Sequence, residues 1–143
     1  MRTIQTSRFG TIEIEEARVI HFPEGLLGFP LQRDYILLDH QPDSPFCWLQ
    51  SIDVPELAFV LTNPFRFAGD YLQGLSAEEQ GLFELEEGGE PVILNLVTIP
   101  SGQVEKTTVN LLGPLVIDAA ARTGRQVVLA GAGYSHRQPL FPQ

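Results

Sequence analysis

Apolar positions in this chain come in short bursts, most of them at strand rather than helix spacing. Residues 2–6 (RTIQT) and 11–14 (TIEI) flank Phe9-Gly10. In the second burst Ile12 and Ile14 share one face while Thr11 and Glu13 share the other, the period-two pattern of a half-buried strand. The pair reads as a hairpin with its turn at Phe9-Gly10. Further strands are predicted over 17–22 (ARVIHF), 35–39 (YILLD), 46–53 (FCWLQSID), 57–62 (LAFVLT), 92–99 (VILNLVTI), 103–109 (QVEKTTV), 115–117 (LVI) and 126–130 (QVVLA).

Turn residues separate these runs. Pro100-Ser101-Gly102 is a strong turn signal, and Thr123-Gly124 before Arg125 is another. A helix is predicted at about 76–85: Ser76 is a capping residue, Glu79 completes a capping box, and Gly88-Gly89 follows. A second short helix could begin at Asp118, ahead of Ala119-Ala120-Ala121. About ten short strands with one or two short helices predict a mostly β fold, a small antiparallel β-barrel or sandwich. Strands do not alternate with long helices, so a parallel α/β sheet is not expected.

Composition narrows the class. The chain of 143 residues is 43% apolar and spreads its 13 glycines and 11 prolines along its length. It fits a single domain, 1–143, large enough to bury a core without staples. Cys47 is the one cysteine, so a disulfide framework is excluded. No apolar run marks the N-terminus as a leader, and no window reads as a membrane span. A cytoplasmic protein is the expectation. The net charge of −9, from 18 acidic against 9 basic residues, disfavours direct nucleic-acid binding and favours a basic protein partner.

Catalytic patterns are weak. Cys47 sits in a strand-like run and reads as a small core hydrophobe. His21, His40 and His136 are far apart. Asp39, His40 and Asp43 could approach a metal, but Pro42, Ser44 and Pro45 beside them fit a turn equally well. The glycines of Gly25-Leu26-Leu27-Gly28 are not followed by the Lys-Ser/Thr of a phosphate-binding loop. The expectation is a protein that is not an enzyme and needs no cofactor or metal.

Binding features are more specific. The segment Phe22-Pro23-Glu24-Gly25-Leu26-Leu27-Gly28-Phe29-Pro30 cannot be a regular strand. It is either a loop folded into the core or one that presents leucine and phenylalanine to a partner. Asn63-Pro64-Phe65-Arg66-Phe67 and Asp70-Tyr71 are a turn with aromatics that either pack beneath it or form a binding face. The candidate partner-binding set is therefore Phe22, Glu24, Leu26, Leu27, Phe29, Asn63, Phe65, Asp70 and Tyr71. Glu78, Glu79, Glu84, Glu86 and Glu87 form a candidate acidic surface with no nearby cation in sequence. Lys106, Arg122, Arg125 and Arg137 then reverse the balance, which predicts a polarised surface.

These segments together resemble the flagellar assembly factor FliW family. The resemblance runs in order over nearly the whole chain: Phe22 to Phe29, Trp48-Leu49-Gln50-Ser51, Leu57-Ala58-Phe59-Val60, Asn63-Pro64-Phe65, Asp70-Tyr71 and Val97-Thr98-Ile99-Pro100. It continues through Thr107 to Leu111, Pro114-Leu115-Val116-Ile117, Gly124-Arg125-Gln126 and Tyr134 to Leu140. Each piece is weak alone, and their colinear order is specific. Gly113 departs from the pattern, in which alanine is common before the proline.

The resemblance implies a cytoplasmic β-barrel-like protein with two partners: flagellin and CsrA, the RNA-binding repressor of flagellin translation. Free protein captures CsrA and relieves repression; accumulating flagellin occupies it and releases CsrA. A monomer is expected. An apolar groove near Leu26, Leu27 and Phe29 would receive a helical end of flagellin, so serine at both Leu26 and Leu27 should weaken binding without unfolding the domain. The competing readings are an unrelated β-barrel that binds a small molecule, and an enzyme working through a polar residue such as His40 or Cys47.

Overall fold

Strand pairing in the computed structural model, which describes residues 1–39 and 41–141, follows the apolar alternation closely. Strands β1 (Arg2–Thr6) and β2 (Gly10–Ile14) form the expected hairpin, in register from Arg2↔Ile14 to Thr6↔Gly10. Thr6 closes its turn: Oγ1 accepts the Phe9 N–H and donates to the Gly10 carbonyl, both at 2.8 Å. Next come β3 (Ile20–His21), β4 (Asp34–Asp39), β5 (Phe46–Ser51) and β6 (Ala58–Thr62). The short helix α1 (Ala77–Gln80) precedes β7 (Val92–Thr98), β8 (Thr108–Val109), β9 (Leu115–Asp118), β10 (Thr123–Gln126) and β11 (Gln138–Pro139). None of the described helices is long and apolar enough to cross a membrane.

Seven strands close into a barrel. Their order is β7-β6-β5-β4-β3-β10-β9, and β9 returns to β7 through Val92↔Ile117, Ile93↔Val116 and Leu94↔Leu115. Neighbours are antiparallel except β3 and β10, which run parallel at Thr123↔His21. An odd ring of strands cannot alternate direction all the way round, so one neighbouring pair has to be parallel. Strands β8 and β11 extend the sheet beyond the C-terminal end of β7.

The barrel interior follows the period of two. Tyr35 and Leu37 on β4, Cys47 and Leu49 on β5, and Phe59 and Leu61 on β6 pack inward with Leu94, Leu96, Leu115 and Ile117. The alternate positions are covered too. Ile36 and Leu38 take the β1–β2 hairpin through Ile4, Ile12 and Ile14. Phe46, Val60 and Val97 pack with Tyr71, Leu75, Leu111 and Leu129. Both faces of β4 and β5 are thus packed, which explains why YILLD and FCWLQ are nearly continuous apolar runs.

Several elements depart from the sequence-based reading. The strand expected over 17–22 is a 3-10 turn at Glu16–Arg18 followed by the two-residue β3, because Arg18 and Val19 N–H groups bond to Glu15 and Glu16 carbonyls. Pro23 then supplies no N–H to extend β3. The strand expected over 103–109 is another such turn, Val104–Lys106, followed by β8. The helix expected over 76–85 keeps one turn and tightens into 3-10 geometry at Gly81–Phe83, where Leu82 and Phe83 pack toward Leu75 and Leu129.

The last sheet strand is shifted. Thr123-Gly124 belongs to β10 rather than to a turn, and 127–130 lies outside the assigned strands. The second helix is a turn: Asp118 Oδ1 accepts Ala120 and Ala121 N–H at 3.1 and 3.0 Å, and Arg122 has φ 58°. Asp118 offers its oxygen to a turn instead of capping a helix.

Candidate functional site

The loop from Phe22 to Pro30 divides its side chains between core and solvent. Phe22 is fully buried in the barrel, edge-on to Tyr35 with ring centres 5.6 Å apart. Its N–H bonds the Arg33 carbonyl at 2.7 Å, and its carbonyl accepts Gly25 N–H at 2.9 Å. Gly25 has φ 66°, and a Cβ there would lie against the Phe29 carbonyl and 2.7 Å from Pro30 Cα, so the loop closes only on glycine. Leu26 is 3% exposed and joins the same core.

The next residue points the other way. Phe29 N–H bonds the Leu26 carbonyl at 2.7 Å, and Gly28 supplies φ 85°, which makes Leu27-Gly28 the centre of a tight turn. Leu27, 61% exposed, stands at its tip, and Phe29, 36% exposed, leans edge-on against Phe59 at 5.1 Å. Leu31, also exposed, continues this apolar edge. The loop is therefore folded into the core in part and faces solvent in part. Phe22 and Leu26 are core, which corrects both as contact residues, while Leu27 and Phe29 face solvent. Glu24 is exposed beside them.

Two distant residues hold the turn. Gln126 Oε1 accepts Leu27 N–H at 2.9 Å, and its Nε2 donates to the Gly113 carbonyl at 2.9 Å. A Cβ on Gly113 would sit 3.0 Å from that Nε2, so glycine leaves room for the bridge. Gly124 lies under Phe22, whose ring would be 2.6 Å from an added Cβ. The local sequence does not mark Gln126 or Gly124 for this role; colinearity of Gly124-Arg125-Gln126 with the rest was the available signal.

Asn63, Phe65, Asp70 and Tyr71 form a second, mainly structural group. Asn63 Oδ1 caps the 3-10 turn Pro64–Arg66 by accepting Phe65 N–H at 3.0 Å. Tyr71 is buried; its hydroxyl donates to the Leu111 carbonyl at 2.5 Å and accepts from Asn95 Nδ2 at 3.1 Å. Burial pushes its phenol up to about 12. Tyr71 is thus a packing residue, with Phe65 tilted over it at 5.8 Å and half exposed. Asp70 is exposed.

The acidic residues line two clefts. Glu78 and Glu79 border one of about 700 Å³, with Leu75, Leu82, Val128 and Ala130. Ser76 caps α1 by accepting Glu79 N–H at 3.1 Å, but the Glu79 carboxylate accepts Gly131 N–H at 3.2 Å, so it ties α1 to the chain after β10. Glu24, Glu86, Glu87 and Asp118 border the other, of about 520 Å³, with Leu85 and Arg125. Glu84 is exposed, its carbonyl accepting from Arg125 Nη2 at 2.9 Å. The same nitrogen donates to Leu82, and Arg122 Nη2 donates to Arg18. Two of the expected C-terminal cations thus hold backbone carbonyls, and Arg125 lies beside the acidic residues of the second cleft.

Among the described residues, the environment of Cys47 does not activate it. Burial, reinforced by the Asp39 charge, pushes the Cys47 thiol up to about 11 and keeps it protonated, opposite to what a nucleophile needs. His21 Nδ1 lies 2.7 Å from Asp34 Oδ1, with both side chains exposed. Asp39 ends β4; His40 lies outside the described residues.

A closed seven-strand barrel with this loop matches a known family. The FliW protein family model covers residues 3–140. The chain belongs to the FliW family. It is 42% identical over 139 residues to the flagellar assembly factor FliW of Magnetococcus marinus, covering 97% of this chain and 85% of that protein. The flagellar assembly factor FliW of Geobacter sulfurreducens is 42% identical over 140 residues, covering 98% and 87%. A crystal structure of a flagellar assembly factor FliW superposes with a TM-score of 0.82 at 34% identity, covering 99% of this chain and 98% of that one. The FliW fold therefore accounts for the chain from the hairpin to β11.

Proposed function

We propose that this FliW-family chain acts in the cytoplasm as a monomeric binding protein, folded as one domain over 1–143, that alternates between flagellin and CsrA. It works by docking rather than by catalysis. The observation that carries the reading is the Leu27 turn: an apolar tip on a backbone held in place by Gln126 Oε1 at 2.9 Å. Holding the turn before contact lowers the ordering cost of binding. Leu27 and Phe29 offer the apolar anchors that an amphipathic helix of flagellin needs.

CsrA holds RNA through basic residues. A partner of net charge −9, docked beside that surface, repels phosphate without covering it. Glu24, Glu86 and Glu87 concentrate this charge on one cleft near the loop. Isothermal titration of purified flagellin and of CsrA into the protein tests the reading. Micromolar or tighter binding to both, with flagellin displacing CsrA, is expected. Failure to bind either one overturns it.

A further inference from the structure

The antiparallel ladder of β9 and β10 does not stop where the strands do. The last registered pair is Gln126↔Leu115. Val127 N–H then bonds the Pro114 carbonyl at 3.0 Å, and Leu129 N–H bonds Leu112 at 2.8 Å. Each donor advances two residues as its acceptor retreats two, so 127–129 is an extended continuation of β10, and a turn closed by Ala132 N–H on the Leu129 carbonyl at 3.3 Å begins at Ala130. Successive N–H groups along such a segment point to opposite sides. Val128 thus directs its N–H away from the ladder, and Ala130, at the start of the turn, also has a free N–H: among the described residues neither has a hydrogen-bond partner.

Side chains alternate as well. Val127 and Leu129 are buried, whereas Val128 is 45% exposed and Ala130 is exposed. Val128 and Ala130 form one wall of the 700 Å³ cleft, with Leu75 and Leu82 at its apolar side and Glu78 and Glu79 on its rim. An unpaired strand edge beside an apolar cleft is a template for strand addition. The carboxylates select what is added: a cationic side chain on the incoming strand is favoured and an acidic one is repelled.

We infer that the 127–130 edge receives an extended, lysine- or arginine-bearing peptide segment of a partner protein, which adds as a strand through Val128 and Ala130. This surface is distinct from the Leu27 turn and does not depend on it. The Glu79–Gly131 bond anchors the far end of the segment to α1.

Amide hydrogen exchange on the full chain tests the inference, with a short synthetic peptide of alternating valine and lysine, capped at both ends, as the probe. In the free protein, Val128 and Ala130 amides should exchange quickly while Val127 and Leu129 are protected. Peptide binding should slow Val128 and Ala130 specifically. Val128→Pro removes one donor and should weaken binding about tenfold; Glu78→Lys, which leaves the backbone intact, should weaken it too and flatten its salt dependence. Flagellin titration through the Leu27 turn should be unchanged in E78K, so the two readings fail separately. Three results would each overturn the inference: equal binding of an all-glutamate counterpart, binding without protection of Val128 and Ala130, or protection of both by self-association in the absence of peptide.

Discussion

The Gln126 side-chain carbonyl accepts the Leu27 backbone N–H at 2.9 Å, joining residues 99 positions apart. The bond runs from the end of β10 to the tip of the 22–30 loop. One side chain thereby fixes the Leu27 tip of the candidate docking surface to the barrel wall.

Gln126→Leu keeps the volume and removes the bridge. Leu27 N–H and the Gly113 carbonyl then lose their partners. A stability loss of about 1–3 kcal/mol is expected in urea unfolding, because Leu27 N–H can turn to water whereas Gly113 is buried. Flagellin affinity should fall while the circular dichroism spectrum is kept. Unchanged affinity would mean that the turn's fixed geometry does not matter.

Leu26 and Leu27 are neighbours with opposite roles. Leu26→Ala empties a core site and should cost about 2–5 kcal/mol. Leu27→Ser alters an exposed tip, should change stability by less than about 0.5 kcal/mol, and should weaken flagellin binding. The pair separates folding from docking, which a double serine replacement cannot do. Equal stability losses in the two variants would contradict the placement of these side chains.

Gly124→Ala should destabilise the barrel by about 1–3 kcal/mol, since the new methyl meets the Phe22 ring. Phe22→Leu added to it should recover part of the loss by making space. Thermal melts of the two single variants and the double decide this; simple additivity would show that the two positions do not press on one another.

Stability should fall at alkaline pH. Cys47 is raised from 9.0 to about 11, chiefly by burial and further by Asp39. Tyr35 and Tyr71 are raised from 10.0 to about 12, chiefly by burial. In each case the unfolded state loses its proton first, so the fold's advantage is complete below the unfolded value and is lost as pH rises through the folded one. Denaturant midpoints should therefore be flat in these groups below about pH 9 and decline above it. Cys47→Val should remove the earliest part of that decline. A midpoint that rises between pH 9 and 11 would refute the assignment.

The antagonism of CsrA should depend on salt. A field that acts across water shortens from about 10 Å at 0.1 M to about 3 Å at 1 M ionic strength. RNA exclusion should weaken over that range even where CsrA stays bound. Exclusion that holds constant with binding intact would point to direct blockage of the RNA site.

The pattern of apolar and polar residues by itself determined the β class, the opening hairpin, strands β4 to β7 and the cap of α1, because period and turn chemistry are local. The segments in order also carried the family. Tertiary packing decided the rest. Closure of seven strands imposed the parallel β3–β10 pair, which no local pattern encodes. The covering of both faces of β4 and β5 hid their alternation. Core packing cut the expected helix to a single turn. The neighbouring leucines 26 and 27 were indistinguishable in sequence, and only the turn set by Gly28, with Gln126 behind it, sends one inward and the other to solvent. Contacts between residues far apart in the chain decide which side of a loop is buried, and one sequence read alone does not contain those distances.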